Sequence, residues 1–449
     1  MDVESMEMNG SKRVFQRQAG GSVAGGTGKV CNYWLQGRCN RRPCPYLHGD
    51  PSSHRQPKQS QEYEDGAPKR TQGYSRGGGG GGLVWRNPSA GGGPSKWGRG
   101  RGAPPGAGGG SAATAGAPAA RRGSEIICKF FVKGRCSYGE SCKFLHSWSV
   151  GDDFSLLTKL EGHQKVVTGI ALPSGSNKLY SSSTDETVRI WDCESGQCIM
   201  VAKPGGEVGC IISEGPWVFI GIPNAVKAVN IQMGTEMNLD GPLGQVYSLA
   251  VGNDMLFAGV QDSNILAWKF SPEGNCFQPA ASLSGHQGAV VALVVGGMRL
   301  YSGSMDGTIR IWDLASLQCI QTLSDHTEVV MSLLCWDQFL LSCSLDRTIK
   351  VWAATESGSL EVTYTHNEEY GALVLAGMPN GHGKPVLLCS CNDNIVRLYD
   401  LPSFAERGRI FSKEEVRAIQ VGPGGLFFTG DRTGELRVWK WMAGDAHSS

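Results

Sequence analysis

The sequence predicts an all-β protein, a ring of seven four-stranded blades preceded by two small metal-held modules in a largely disordered N-terminal region. Three observations carry this prediction. A turn-and-tryptophan pattern returns along the last two thirds of the chain. Two short runs each combine three cysteines and a histidine at nearly the same spacing. Composition and charge change sharply near residue 150.

The net charge of +1 conceals that change. Residues 1–150 carry 22 Lys and Arg against 9 Asp and Glu, whereas the remainder carries 20 against 32. A basic arm fused to an acidic body points to a polyanion-binding segment beside a separate globular domain. No apolar leader follows MDVESMEMNG, and the longest apolar run, AVVALVV (289–295), is far short of the ~20 residues that span a bilayer. The expectation is a soluble intracellular chain with reduced thiols and no membrane partner, in which clustered cysteines hold metal rather than disulfides.

The clusters are CNYWLQGRCNRRPCPYLH (31–48) and CKFFVKGRCSYGESCKFLH (128–146). Neither has the apolar residues for a core. Cys31, Cys39, Cys44 and His48 form one candidate ligand set, and Cys128, Cys136, Cys142 and His146 the other. Cys3His is a standard tetrahedral zinc set, so two Zn²⁺ per chain are expected. Four protein donors leave no open position to activate water, so the expected role is folding, required by the modules and not by the body behind them. The residues between the ligands indicate a use. Tyr33, Trp34 and Tyr46 match Phe130, Phe131 and Phe144 in position, and Gly-Arg precedes the second cysteine in both (Arg38, Arg135). So small a scaffold cannot bury all its rings, and exposed rings beside cations suit stacking on unpaired bases.

Both runs resemble CCCH zinc fingers, a family associated mainly with single-stranded RNA. The second keeps that family's aromatic-glycine step (Tyr138–Gly139), whereas the first has Arg41, Arg42 and Pro43 there, exchanging a stacking position for phosphate-binding charge. Between them, residues 71–110 hold 17 glycines with Arg76, RGRG (99–102), Tyr74, Trp85 and Trp97 interspersed. Such a stretch cannot offset its ordering entropy, and it reads either as a sequence-tolerant RNA-binding tract or as a plain tether.

From residue 151 the repeats begin. SSSTDETVRIWD (181–192), SGSMDGTIRIWD (302–313) and SCSLDRTIKVWA (342–353) are the strong copies, each preceded by a histidine. AGVQDSNILAWK (258–269), CSCNDNIVRLYD (389–400) and TGDRTGELRVWK (429–440) are weaker, and VFIGIPNAVKAVNI (218–231) is degenerate. Aligning Asp262, Asp306, Asp346, Asp393 and Thr433 gives steps of 44, 40, 47 and 40 residues. A period of ~40–45 ending in Trp-Asp resembles the WD repeat, one propeller blade each. That family's buried tetrad maps onto His163, Ser181, Asp185 and Trp191, and onto the equivalent sets ending in Trp312 and Trp352. Three His-Ser-Asp sets at repeat spacing imply structure rather than catalysis. The unassigned FSLLTKL (154–160) is expected to close the ring as the outer strand of the last blade.

The expected organisation is a disordered N-terminus over 1–26, fingers over 27–49 and 124–148, a Gly/Arg-rich disordered linker over 50–123, a seven-bladed propeller over 153–441 and a tail over 442–449. Together the modules resemble the plant CCCH-zinc-finger/WD-repeat proteins. The resemblance implies a non-enzymatic nucleic-acid-binding scaffold, nuclear or nucleocytoplasmic, binding RNA ahead of DNA, with a protein partner on the propeller and no small-molecule substrate. The alternatives are a DNA-binding regulator and a substrate receptor of a cullin-type ubiquitin ligase. Against the latter, WDCES, WDLAS and YDLPS lack the arginine such receptors usually carry after Trp-Asp.

Overall fold

A computed structural model describes residues 126–151, 153–379 and 385–442, so the first cluster and the Gly/Arg-rich linker lie outside the described residues. The described chain begins with the second finger and continues into seven antiparallel sheets. Five of the seven sheets are built from consecutive strands alone, so neighbours in sequence are neighbours in space, and the other two each add one strand from the start of the propeller region. The first blade, for example, runs through Val167–Ala171, Lys178–Ser183, Val188–Asp192 and Cys198–Ala202.

Position within a blade dictates residue type. The second strand is covered on both faces by its own and the neighbouring blade, so Trp217–Ile222, Phe339–Ser344 and Val386–Cys391 are buried at every residue. They read as continuous apolar or small runs rather than alternating ones. Outer strands face solvent, and Cys198–Ala202 has no buried residue.

Ring closure follows the sequence expectation. Phe154–Leu160 pairs antiparallel with Leu436–Trp441, from Phe154 opposite Trp441 to Leu160 opposite Leu436. The first strand of the domain thus completes the last blade and removes an open edge. One pairing was not foreseen: Ser149–Val150 adds a fifth strand to the sixth blade, with Ser149 opposite Ile410 and Val150 opposite Arg409.

The three strong repeats form the same hydrogen-bonded relay. Trp191 Nε1 donates to Ser181 Oγ at 2.8 Å, Ser181 Oγ lies 2.8 Å from His163 Nε2, and His163 Nδ1 lies 3.0 Å from Asp185 Oδ2. Because the carboxylate can only accept, Nδ1–H donates to it, and in the neutral ring Nε2 then accepts from the serine hydroxyl, whose oxygen accepts from tryptophan. The sets around Trp312 and Trp352 repeat this geometry. The serines are fully buried, so their hydroxyls join strands and have no access to a substrate. Each relay includes a threonine that the sequence reading missed: Thr187, Thr308 and Thr348 donate to Asp Oδ1 at 2.6–2.7 Å. The D-x-T spacing recurs in all three copies and is the signal that marks it.

Weaker blades substitute other bonds. In the sixth, Tyr399 donates to Glu368 at 2.7 Å and Arg397 pairs with Asp393 at 2.6 Å and Glu368 at 3.6 Å. Glu368 also groups with the thiols of Cys389 and Cys391, but Arg397 already supplies the positive charge that a metal ion would bring. In the seventh, Thr433 holds the turn position that the strong copies give to aspartate, and Asp431, at the position of Ser183, organises the turn instead, accepting from Thr433 N at 2.8 Å and from Ser412 Oγ at 2.8 Å.

Candidate metal centre and nucleic-acid interface

The second finger is assembled around Cys128. Its Sγ caps the short helix Lys129–Val132 by accepting from Phe131 N at 3.4 Å. Gly134 (φ +65°) then turns the chain in the left-handed region, where a Cβ is costly, and the N–H groups of Gly134 and Arg135 return to the carbonyls of Phe131 and Phe130. This accounts for the Gly-Arg step before the second cysteine. A 3-10 turn, Gly139–Ser141, delivers Cys142, and Ser141 Oγ donates to Tyr138 O at 2.6 Å. The parallel bridge between Ile127 and Leu145 brings the first ligand-bearing segment beside the last.

The donor atoms of Cys128, Cys136, Cys142 and His146 all lie within 4.8 Å of one another. Sulfur separations of 3.8 Å for Cys136–Cys142 and for Cys128–Cys142 match the ~3.8 Å that tetrahedral Zn–S bonds of ~2.3 Å require. His146 Nε2 is buried and has no hydrogen-bond partner, an orphan that a metal ion would satisfy. Burial pushes the Cys128 thiol up, but the N–H of Phe131 and the neighbouring His146 outweigh it and bring the thiol down to about 6, toward the thiolate a metal needs. The residues therefore fit zinc, which when bound would supply a closed structural cross-link. The first set (Cys31, Cys39, Cys44, His48) lies outside the described residues, as do Tyr33, Trp34, Arg38, Arg41, Arg42 and Tyr46.

The second finger's rings divide into two groups. Phe130, Tyr138 and Phe144 are 63%, 67% and 51% exposed and, with Ser141 and Lys143, line an open concavity of about 460 Å³ beside the cysteines. Arg135 is also exposed. Phe131, counted with the other rings as a candidate for stacking on bases, is placed differently from Phe130, Tyr138 and Phe144. It is half-buried, stacked on His146 (4.9 Å, 17°) and tilted against Trp148 (5.4 Å). Residues 130 and 131 are adjacent on a helix, so their side chains point ~100° apart and only one can face solvent while the other packs. Trp148 was missed because nothing adjacent to it in sequence marks its partners. They are Lys159 (4.7 Å) and Arg437 (3.9 Å), brought to its ring by closure of the propeller.

Fold and site together define a zinc-finger module built onto the rim of a WD-repeat propeller. Residues 126–147 match the family of CCCH-type zinc fingers, and residues 154–192, 277–313 and 317–353 match the WD domain, G-beta repeat. The chain belongs to the plant family of CCCH zinc-finger proteins with WD repeats. It is 62% identical to Zinc finger CCCH domain-containing protein 17 of Oryza sativa subsp. japonica, covering 98% of both chains. Zinc finger CCCH domain-containing protein 48 of Arabidopsis thaliana is 59% identical over 97% of both, and protein 63 of the same organism 57% over 96%. The WD40 β-propeller domain of Doa1 superposes with a TM-score of 0.54 at 22% identity, over 64% of this chain and 96% of that one, a likeness of fold. These are families that are generally non-enzymatic, and the pairing of finger with propeller fits a nucleic-acid-binding adaptor. Among the described residues no helix is long and apolar enough to cross a membrane.

Proposed function

We propose that the protein is an RNA-binding scaffold, in which the fingers and the Arg/Gly-rich interval hold single-stranded RNA while the propeller recruits a protein partner. The observation that supports this most directly is the set of exposed rings, Phe130, Tyr138 and Phe144, around one concavity with Lys143. Three large apolar side chains on so small a module cost solvation unless a ligand covers them, and flat π-faces beside a cation suit splayed bases. Unpaired bases present those faces freely, whereas duplex DNA keeps them stacked, which favours RNA over DNA.

Charge supports the division of labour. Residues 151–449 carry 20 basic against 32 acidic side chains, so the body repels the phosphate backbone that the basic arm attracts. Its blades instead offer a protein-binding surface. The compartment we propose for such a scaffold is the nucleus, with the cytoplasm as its second, on the resemblance of the modules alone.

The test is affinity purification of the full chain with and without RNase. The scaffold reading expects crosslinked RNA on the fingers and interval, together with a protein set that survives RNase through the propeller. Equal recovery on duplex DNA, or loss of every protein with the RNA, would refute it.

A further inference from the structure

We infer that Trp148 couples metal loading of the second finger to closure of the propeller ring, so that the two are one linked equilibrium rather than independent folding events. This departs from the expectation that metal is required only within the fingers.

The coupling has a continuous physical path. His146, which lies with the cysteine set and whose Nε2 is buried without a hydrogen-bond partner, stacks on Phe131, and Phe131 packs on Trp148. The Trp148 ring covers the Arg437 guanidinium at 3.9 Å and lies 4.7 Å from Lys159 Nζ. Those two cations sit directly opposite each other across the closing strand pair, Lys159 on the first strand of the domain and Arg437 on the last. Like charges so placed destabilise a strand pair unless something compensates.

Two groups compensate. Glu435 accepts from Arg437 Nε at 2.6 Å and pairs with Lys159 at 3.2 Å. The second group is the face of Trp148, which attracts cations through its quadrupole. Arg437 depends on it, since its side chain is buried, one terminal NH2 has no hydrogen-bond partner, and its other terminal nitrogen donates to Phe411 O at 2.6 Å. Trp148 O in turn accepts from Phe411 N at 2.9 Å, fixing the tryptophan against the sixth blade at its added strand. The ring-closing seam therefore uses a side chain whose other surface is held by the finger. Only Ser147 separates Trp148 from the ligand His146, so loss of metal frees His146 and Phe131 and loosens the cover on Arg437. By reciprocity, a closed ring raises the finger's affinity for metal.

The experiment is thermal unfolding of the full chain, followed by the β-sheet circular dichroism signal, in zinc and in a zinc chelator. The wild type should melt roughly 2–6 °C lower without metal. Cys142→Ala should reproduce that fall in the presence of zinc, and Cys44→Ala, which touches only the first set, should not. Trp148→Ala should melt lower than wild type in both conditions and lose the zinc-dependent difference, whereas a purely structural tryptophan would lower both melts and preserve the difference. Phe131→Leu, which leaves the propeller untouched, should keep its zinc and shrink the difference, a readout that stands even if Trp148→Ala does not fold. Identical wild-type melts with and without metal, or a full zinc-dependent shift in Phe131→Leu or Trp148→Ala, would overturn the coupling.

Discussion

The exposed rings of the second finger make a quantitative prediction, because the structure separates rings that can meet a base from the one that cannot. Phe130, Tyr138 and Phe144 are each more than half exposed. A base stacked on an aromatic ring contributes ~1–3 kcal/mol, so alanine at any of the three should weaken single-stranded RNA binding about 5- to 150-fold. Phe131→Ala should behave otherwise. One face of that ring is against His146 at 4.9 Å and another side against Trp148 at 5.4 Å, leaving no face for a base. Its loss should instead cost the finger on the order of 1–3 kcal/mol of stability, with RNA affinity falling only as far as finger folding falls. The assay is fluorescence anisotropy with a labelled single-stranded RNA at one fixed salt concentration, with zinc content measured for every variant. It is best run in a Cys44→Ala background, so that the first cluster cannot mask the effect through avidity. Wild-type affinity in all three exposed-ring variants would refute the stacking interface, as would a Phe131→Ala protein that keeps its zinc and its stability yet binds as weakly as they do.

Three further outcomes are expected. Ser302→Ala should destabilise the propeller by about 2–4 kcal/mol in urea titration, because Trp312 Nε1 and His286 Nε2 both lose a buried partner at 2.9 and 2.7 Å; a change under 1 kcal/mol would mean the relay contributes little. Acid should destabilise the fold in two stages. Burial lowers His163, His286 and His326 below their ordinary value despite the carboxylates beside them, so the folded state resists their protonation and stability falls once pH drops below the unfolded value of ~6.5. Burial raises the Glu435 carboxyl, but Lys413, Arg437 and Lys159 outweigh this and hold it at about 2, so its contribution is full above the unfolded value of ~4.3 and is lost as pH falls toward 2. A pH–stability curve flat from 7 to 3 would contradict both assignments. In the first cluster, Trp34→Ala should weaken RNA binding by ~1–3 kcal/mol with zinc retained, and unchanged binding would make that ring a packing residue.

Much of the fold was legible in the sequence because it rests on hydrogen bonds that demand particular residue types at fixed offsets. The relay needs a histidine, a serine ten residues before a tryptophan, and an aspartate between them, so three blades declare themselves. Where packing does the same work the signature disappears. The second blade replaces the relay with Trp217, stacked on Phe219 and meeting Phe277 edge-on at 5.2 Å, and apolar residues carry no positional code. The seventh blade keeps the register on Thr433 but carries its turn carboxylate two residues earlier, on Asp431, so its period is legible while its turn chemistry is not. Ligand spacing likewise exposed the candidate metal residues, since a tetrahedron tolerates few alternatives.

The connection between finger and propeller could not be read in the same way. SWSVGDD (147–153) has no motif, and the sequence offers only its length, which is too short for the finger to tumble freely away from the rim. What fixes it there is contributed from 254 residues away in one case, Asp153 with Arg407 at 2.7 Å marking the start of the closing segment, and from comparable distances by Phe411 and Arg437. Such contacts exist only after the ring has closed. A tryptophan beside a zinc ligand reads locally as one more candidate for stacking on a base, yet its faces are spent on Phe131 and two cations. The finger thereby gains a fixed orientation that so small a module could not supply for itself. Its exposed rings are presented at a constant position relative to the blades, which is what a scaffold requires if RNA and protein partner are to be held in register.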